Sequence, residues 1–176
     1  VQARKLMNLI HRIPFCRDVA IWYDEYLIPG ETWSAAIAQA MAKSALVVLA
    51  VTPSLTEPGN YIIAHEYPDA RRAGKEILPA GLTPTDPTVL DRLFPGLPQV
   101  VDCQDAEALR EALTAALGPL VAQTPSVQTP EHDFLIGLAY LEGIDMEHNP
   151  ETALTLITGA ARAQLPEAME KLADMY

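Results

Sequence analysis

Thr52, Ser54 and Glu66 are the residues of this chain best placed to do chemistry. They follow Ala45–Val51 (ALVVLAV), an apolar run rich in β-branched residues and closed by Thr52-Pro53-Ser54. A run that short, with no polar alternation, reads as a strand covered on both faces. In open α/β sheets, ligands bind outside the carboxyl ends of the strands. Thr52 and Ser54 lie just past such an end, and Glu66 lies in the segment Asn60–Gly74 beyond it. The two hydroxyls either bond a substrate or terminate the strand. Glu66 is either a working carboxylate or a solvated helix-face residue paired with Arg or Lys. Asp24, at the end of another apolar run, either bonds a ligand or caps its loop. Trp33 either covers a ligand ring or packs at the start of a helix.

The elements that position these residues alternate between helix and strand. Gln2–Ile13 has Ala3, Leu6, Met7, Ile10 and Ile13 at helical spacing, with Pro14 beyond. Val19–Tyr23 reads as a strand, and Asp24–Glu31 as a loop around Pro29-Gly30. Trp33–Lys43 is a second helix and Ala45–Val51 a second strand. Tyr61–Ala73 is a third helix, made imperfect by Pro68. Glu76–Ala80 is a strand. Thr83–Pro98 is a loop with one helical turn around Val89–Leu93. Gln99–Cys103 is a strand, and Ala106–Leu117 a helix ended by Gly118-Pro119. This alternation predicts a parallel, doubly wound, flavodoxin-like α/β sheet. Its first strand would precede the opening helix and is not in this sequence.

The composition narrows the classes. The chain has 176 residues and a net charge of −11, which argues against nucleic acid and anionic membrane as partners. No apolar run reaches transmembrane length. The first residues are amphipathic rather than a signal sequence. Cys16 and Cys103 are too few and too far apart for a disulfide framework or a zinc site. They read as reduced packing residues of a cytoplasmic protein. His11, His132 and His148 show no ligand spacing, and His65 diverges from Glu66 by about 100° on a helix. No metal or cofactor is expected.

Residues 122–130 form a Pro/Thr/Ser/Gln linker. Residues 131–176 are helical and repetitive. Ile136-Gly137 and Tyr140 return as Leu172-Ala173 and Tyr176, a period of roughly 36 residues that signals stacked helix pairs. Gly143, Ala153, Ala160-Ala161 and Ala168 stand between them. This pattern resembles the Sel1-like (tetratricopeptide-type) repeat, with Gln164 and Ala173 where that repeat has glycine. One repeat and the first helix of the next are present, so further repeats are expected beyond Tyr176.

The ordered set Asp24, Pro29-Gly30, Trp33, Ser54, Glu66, Gly74-Lys75 and Pro79 resembles a bacterial TIR (Toll/interleukin-1 receptor) domain over residues 1–121. The resemblance implies an NAD+ glycohydrolase that releases nicotinamide. In that family Glu66 would be the catalytic carboxylate, and Trp33, Asp24, Thr52, Ser54 and Ile62 would line the substrate site. NAD+ is then a substrate, and no separate cofactor is implied. Ile62 departs from the family, which usually has Trp four residues before the Glu; Tyr61 stands beside it. The resemblance also implies activation by self-association through the loop Tyr26, Leu27, Ile28, Pro29 and Gly30. With a protein partner on the repeats, it suggests an antiviral immune effector.

Nicotinamide in NAD+ is already a cationic leaving group and departs neutral, so no general acid is needed. An oxocarbenium-like ribose must be stabilised, and one carboxylate can do that by charge and by gripping ribose hydroxyls. The alternative is a TIR adaptor that only assembles, for which Ile62 is the best argument. A phospho-receiver with Asp24 as acceptor fits poorly, because Pro29 stands five residues on and Gln99–Cys103 offers no Lys. No G-x-G-x-x-G occurs, which sets aside a Rossmann oxidoreductase.

Overall fold

A computed structural model describes residues 2–16, 19–23, 32–123, 129–143 and 148–175. In chain order its helices and strands are α1 (Gln2–His11), α2 (Trp33–Lys43), β1 (Leu46–Val51), α3 (Tyr67–Arg72), β2 (Glu76–Gly81), α4 (Pro87–Leu93), β3 (Val101–Asp102), α5 (Ala106–Gln123), α6 (Pro130–Glu142), α7 (Pro150–Arg162) and α8 (Pro166–Asp174). The architecture is mixed α/β: a small parallel sheet and many helices. Contacts divide it into two compact units, residues 31–125 and residues 3–30 together with 126–176. The sequence suggested boundaries at 121 and 131 instead. The difference lies in α1 and Val19–Tyr23, which group with the C-terminal helices.

In the sheet unit the three strands lie in the order β1-β2-β3 and all pairs are parallel. Leu46 pairs with Glu76 through to Val51 with Gly81, and β3 joins at Ala80↔Val101 and Gly81↔Asp102. Parallel neighbours need crossover connections, which α3 and α4 supply. Leu49, Val51 and Ile77 meet Leu55, Tyr67, Ala70, Leu90 and Phe94 in one apolar core. The Tyr67 and Phe94 rings meet edge to face at 5.0 Å, and the Tyr67 hydroxyl donates to the Pro95 carbonyl. Leu109, Leu113, Ala116 and Leu117 are the buried positions of α5.

Two expected boundaries move. The last strand is Val101–Asp102 rather than Gln99–Cys103. Helix α5 runs through Gly118-Pro119 to Gln123 instead of stopping at Leu117. Pro119 denies an N–H to the carbonyl of Ala115, but both residues are exposed, so water can take that carbonyl. Pro79 sits inside β2 and is fully buried. It costs no ladder bond to β3, whose pairing begins one residue later.

Pro68 acts as its chemistry requires. It has no N–H, and its ring crowds the carbonyl four residues earlier. The chain answers with a π turn over Ile62–Glu66 that runs directly into α3, where the Tyr67 N–H reaches back five residues to the Ile62 carbonyl. The helix then stops at Gly74, whose φ of +65° suits glycine. The Lys75 N–H bonds the Ala70 carbonyl and the Gly74 N–H the Arg71 carbonyl, satisfying two helix-end acceptors. The Lys75 ammonium donates to the carbonyls of Ala42 and Ser44 and so ties this turn to the end of α2.

In the helical unit α6 and α7 approach closely at Gly137. A Cβ there would lie 2.9 Å from Ile157 Cγ1 and 3.2 Å from Leu156 Cβ. Leu138, Ile157, Ala160, Leu165 and Ala168 form the core between α6, α7 and α8. Thr129 and Asn149 accept from the His132 and Thr152 N–H groups as N-caps, each followed by proline.

Gln164 closes α7 as Gly74 closes α3. The Leu165 N–H bonds the Ala160 carbonyl, the Gln164 N–H bonds the Ala161 carbonyl, and Gln164 has φ +65°. A side chain at that φ is strained. Gln164→Gly is therefore expected to stabilise the helical unit by about 1 kcal/mol. Thermal or urea unfolding would show it, and an unchanged midpoint would refute it.

Val19–Tyr23 joins no strand of the sheet, contrary to expectation. Ile21 and Tyr23 instead pack with Ala3 and Met7 of α1, and buried His11 places Nε2 3.2 Å from the Val19 carbonyl. The Tyr23 hydroxyl donates to Glu142 at 3.1 Å, and Arg4 pairs with the same carboxylate at 3.4 Å. These contacts fasten the start of the chain to α6.

Burial, then the Glu142 charge against the opposing pull of Arg4, pushes the Tyr23 phenol from 10.0 up to about 12. The folded state thus keeps a proton that the unfolded chain releases. Its stabilising contribution is complete below about pH 10 and is lost as pH rises toward 12. Tyr23→Phe should remove this part of the alkaline destabilisation, read as the difference in unfolding midpoint between pH 9 and pH 11.5 (roughly the two sides of the window).

Candidate functional site

The site is built where β1 ends. Thr52 is buried, and its Oγ1 shares a 2.8 Å hydrogen bond with Ser54 Oγ. The chain then turns through Pro53–Thr56, where the Leu55 N–H returns to the Thr52 carbonyl. Asn60 joins this turn to the following helix. Its amide nitrogen donates to the Ser54 carbonyl at 3.2 Å, and its Oδ1 accepts from the Ile62 N–H at 2.9 Å. The strand end and the π turn are thereby held in one frame.

The first turn of that helix carries a run of rings. Trp33, at the first position of α2, meets Tyr61 with ring centroids 4.3 Å apart and planes tilted by 47°. Tyr61 meets His65 at 4.4 Å. Trp33 keeps 40% of its surface exposed, a large value for tryptophan. Glu66 ends the π turn and is half-buried. Ile62 packs against the sheet core.

Among the residues expected to form the site, Thr52 touches Ser54, and Trp33 touches Tyr61. Asp24 and the loop Tyr26, Leu27, Ile28, Pro29 and Gly30 lie outside the described residues. Sequence reasoning gave Asn60 no role, noted Tyr61 only as the neighbour of Ile62, and set His65 aside. The spacing of Tyr61 and His65, four apart on a helix, was the available signal.

Cys16 and Cys103 are both buried. Burial pushes the Cys16 thiol up to about 11, so it is inert at neutral pH. Among the described residues no group of three or more His, Cys, Asp or Glu is placed to hold a metal ion. No described helix is long and apolar enough to cross a membrane. One groove of about 440 Å³ is lined by residues that include Arg71, Lys75, Leu78, Ala112 and Ala116. Another of about 340 Å³ lies between Thr158, Arg162, Met169 and Leu172. Neither includes Glu66.

Comparison with known proteins finds no family model that matches the chain, and no curated protein or solved structure with significant similarity to it.

Proposed function

We propose that this chain is an NAD+ glycohydrolase of the bacterial TIR type, with a flavodoxin-like sheet and Sel1-like repeats, working in the cytoplasm. Glu66 is its catalytic carboxylate. The observation that carries this reading is the π turn past the carboxyl end of β1. It presents Glu66 half-buried, and it follows directly on Tyr61, whose ring meets that of a partly exposed tryptophan. A ring face suits a cationic pyridinium, and a carboxylate suits the ribose cation formed as nicotinamide leaves. Exposed Ser54, braced by its bond to buried Thr52, would meet ribose or phosphate oxygens. Self-association through the TIR domains and a protein partner on the repeats would control the activity, as an anti-phage effector requires.

A second reading, a TIR adaptor that only assembles, draws on Ile62. The position that carries Trp in many TIR hydrolases is here turned into the core. One assay separates the two. The chain is incubated with NAD+ over a range of concentrations, and nicotinamide is measured. Release that rises steeply with protein concentration supports the hydrolase. Self-association without any release supports the adaptor.

A further inference from the structure

Helix α6 is covered on two sides. Gly137 and Leu138 face α7 and α8: a Cβ at Gly137 would lie 2.9 Å from Ile157 Cγ1, and Leu138 shares a core with Ile157 and Ala168. Ile136 stands about 200° round the helix from Leu138, and Ala139 about 200° from Gly137. Both are nevertheless buried, with 8% and 2% of their surface exposed. Glu142, the last residue of α6, follows Ala139 by one turn on that second side. Its carboxylate is where the start of the chain comes in: Arg4 pairs with it, and the Tyr23 hydroxyl donates to it.

Helix α1 suits this side by charge and by shape. It has Arg4 and Lys5 and no acidic residue, whereas acidic residues outnumber Lys and Arg by nine to two over residues 126–176. A carboxylate at a helix C-terminus opposes the helix dipole, and a guanidinium beside it offsets that penalty. Leu6 and Ile10, four apart on one flank of α1, are buried. Met7, on the other flank, packs with Ile21 and Tyr23. With ten residues α1 needs a surface to lie on, since helices shorter than about 12–15 residues are marginal in water.

We propose that this second side of α6 is a docking surface for basic amphipathic helices. Helix α1 is its in-chain occupant, and a second protein that presents such a helix, with an arginine for Glu142, takes the place of α1. The proposal goes beyond the glycohydrolase reading and is independent of the chemistry at Glu66. Exchange leaves the core between α6, α7 and α8 closed and does not touch the sheet unit. A helix tethered in the chain acts at an effective concentration of roughly millimolar. The incoming helix must therefore bind more tightly than α1, through more turns or more basic residues.

The probe is a fluorescein-labelled peptide of residues 1–23 with Cys16→Ser, the smallest basic helix known to fit. It is added to the full chain and to the full chain with Leu6→Ser and Ile10→Ser, whose own α1 holds on weakly. Fluorescence anisotropy should show saturable binding, at least about tenfold tighter to the substituted chain, because there the tethered competitor is weakened. A peptide with Arg4→Glu should bind about tenfold more weakly, and Glu142→Lys in the chain should restore it while weakening the original peptide. In the unsubstituted chain, excess peptide should accelerate amide exchange in α1 and leave α6 protected.

Equal affinity for the two chains, or binding that ignores the signs at positions 4 and 142, overturns the proposal. If the chain with Leu6→Ser and Ile10→Ser does not fold by circular dichroism, the exchange measurement decides: α1 left protected under excess peptide overturns it. Sedimentation of the unsubstituted chain tests the other occupant. A dimer that is lost with Arg4→Glu and regained on adding Glu142→Lys means that α1 passes between copies, and overturns the assignment to a second protein. None of these readouts needs nicotinamide release. A chain that exchanges helices but cleaves no NAD+ sinks only the hydrolase, and cleavage without helix exchange sinks only the docking surface.

Discussion

Glu66→Gln should reduce nicotinamide release by on the order of 10²–10³-fold or more, with KM for NAD+ changed only several-fold. The carboxamide keeps the shape and the hydrogen-bonding reach of the carboxylate and loses only its charge. Charge matters little while NAD+ sits intact, because the positive charge is then on the nicotinamide ring. It matters as the glycosidic bond breaks and the charge moves to the ribose. An interaction stronger in the transition state than in the ground state appears in kcat rather than KM. The residue is half-buried and Gln matches its size, so circular dichroism should match the parent and a melt checks that the chain remains folded. Glu66→Asp, which keeps the charge but withdraws it by one methylene, should fall between the two. Full activity in a folded Glu66→Gln chain would remove Glu66 from the chemistry and leave the assembly-only reading in possession.

Much of the frame around this residue can be read in the sequence, for identifiable reasons. Leu46–Val51 reads as a strand because it is short and apolar throughout, although only the face with Leu49 and Val51 is fully buried. Gly74 and Gly143 mark helix ends because each stands at positive φ. Gln164 shows the same geometry without the glycine, so composition alone hides that helix end. Pro68 announced an irregular helix, but its consequence was out of reach. Whether a proline breaks, kinks or widens a helix depends on how the flanking turns pack, and here Ile62 and Tyr67 both anchor in the core. Val19–Tyr23 misled because a short apolar run next to a helix has two ways to be buried. It can pair in a sheet, or it can lie against that helix, and Tyr23 with Ile21 takes the second. The partner that decides it, Glu142, stands 119 residues away in sequence, and no local signal encodes that contact.

That distant contact sets the expected behaviour of a shortened chain. A chain cut after Gln123 should keep the sheet unit folded and lose the ordered structure of its first 23 residues. Helix α1 has ten residues, and helices shorter than about 12–15 residues are marginal in water without tertiary support. Its support includes the Arg4 and Tyr23 contacts to Glu142, which the cut removes. The sheet unit keeps its own interior, because Val51, Phe94, Leu109 and Leu113 all lie within 31–125 and are fully buried there. Amide exchange in α1 should accelerate by on the order of 10³-fold or more, while β1 and β2 remain protected. The exposed apolar face of α1, with Leu6, Met7 and Ile10, would then promote association of its own. An activity assay on the shortened chain would read that association as activation or as aggregation, unrelated to the repeats. The informative pair is the cut chain and the same chain with Leu6→Ser and Ile10→Ser. If cleavage needs only clustered sheet units, both should release nicotinamide when fused to an unrelated oligomer, and only the first should associate unaided. Protection of α1 that survives the cut would show that its support lies elsewhere, and the division of the chain into these two units would have to be redrawn.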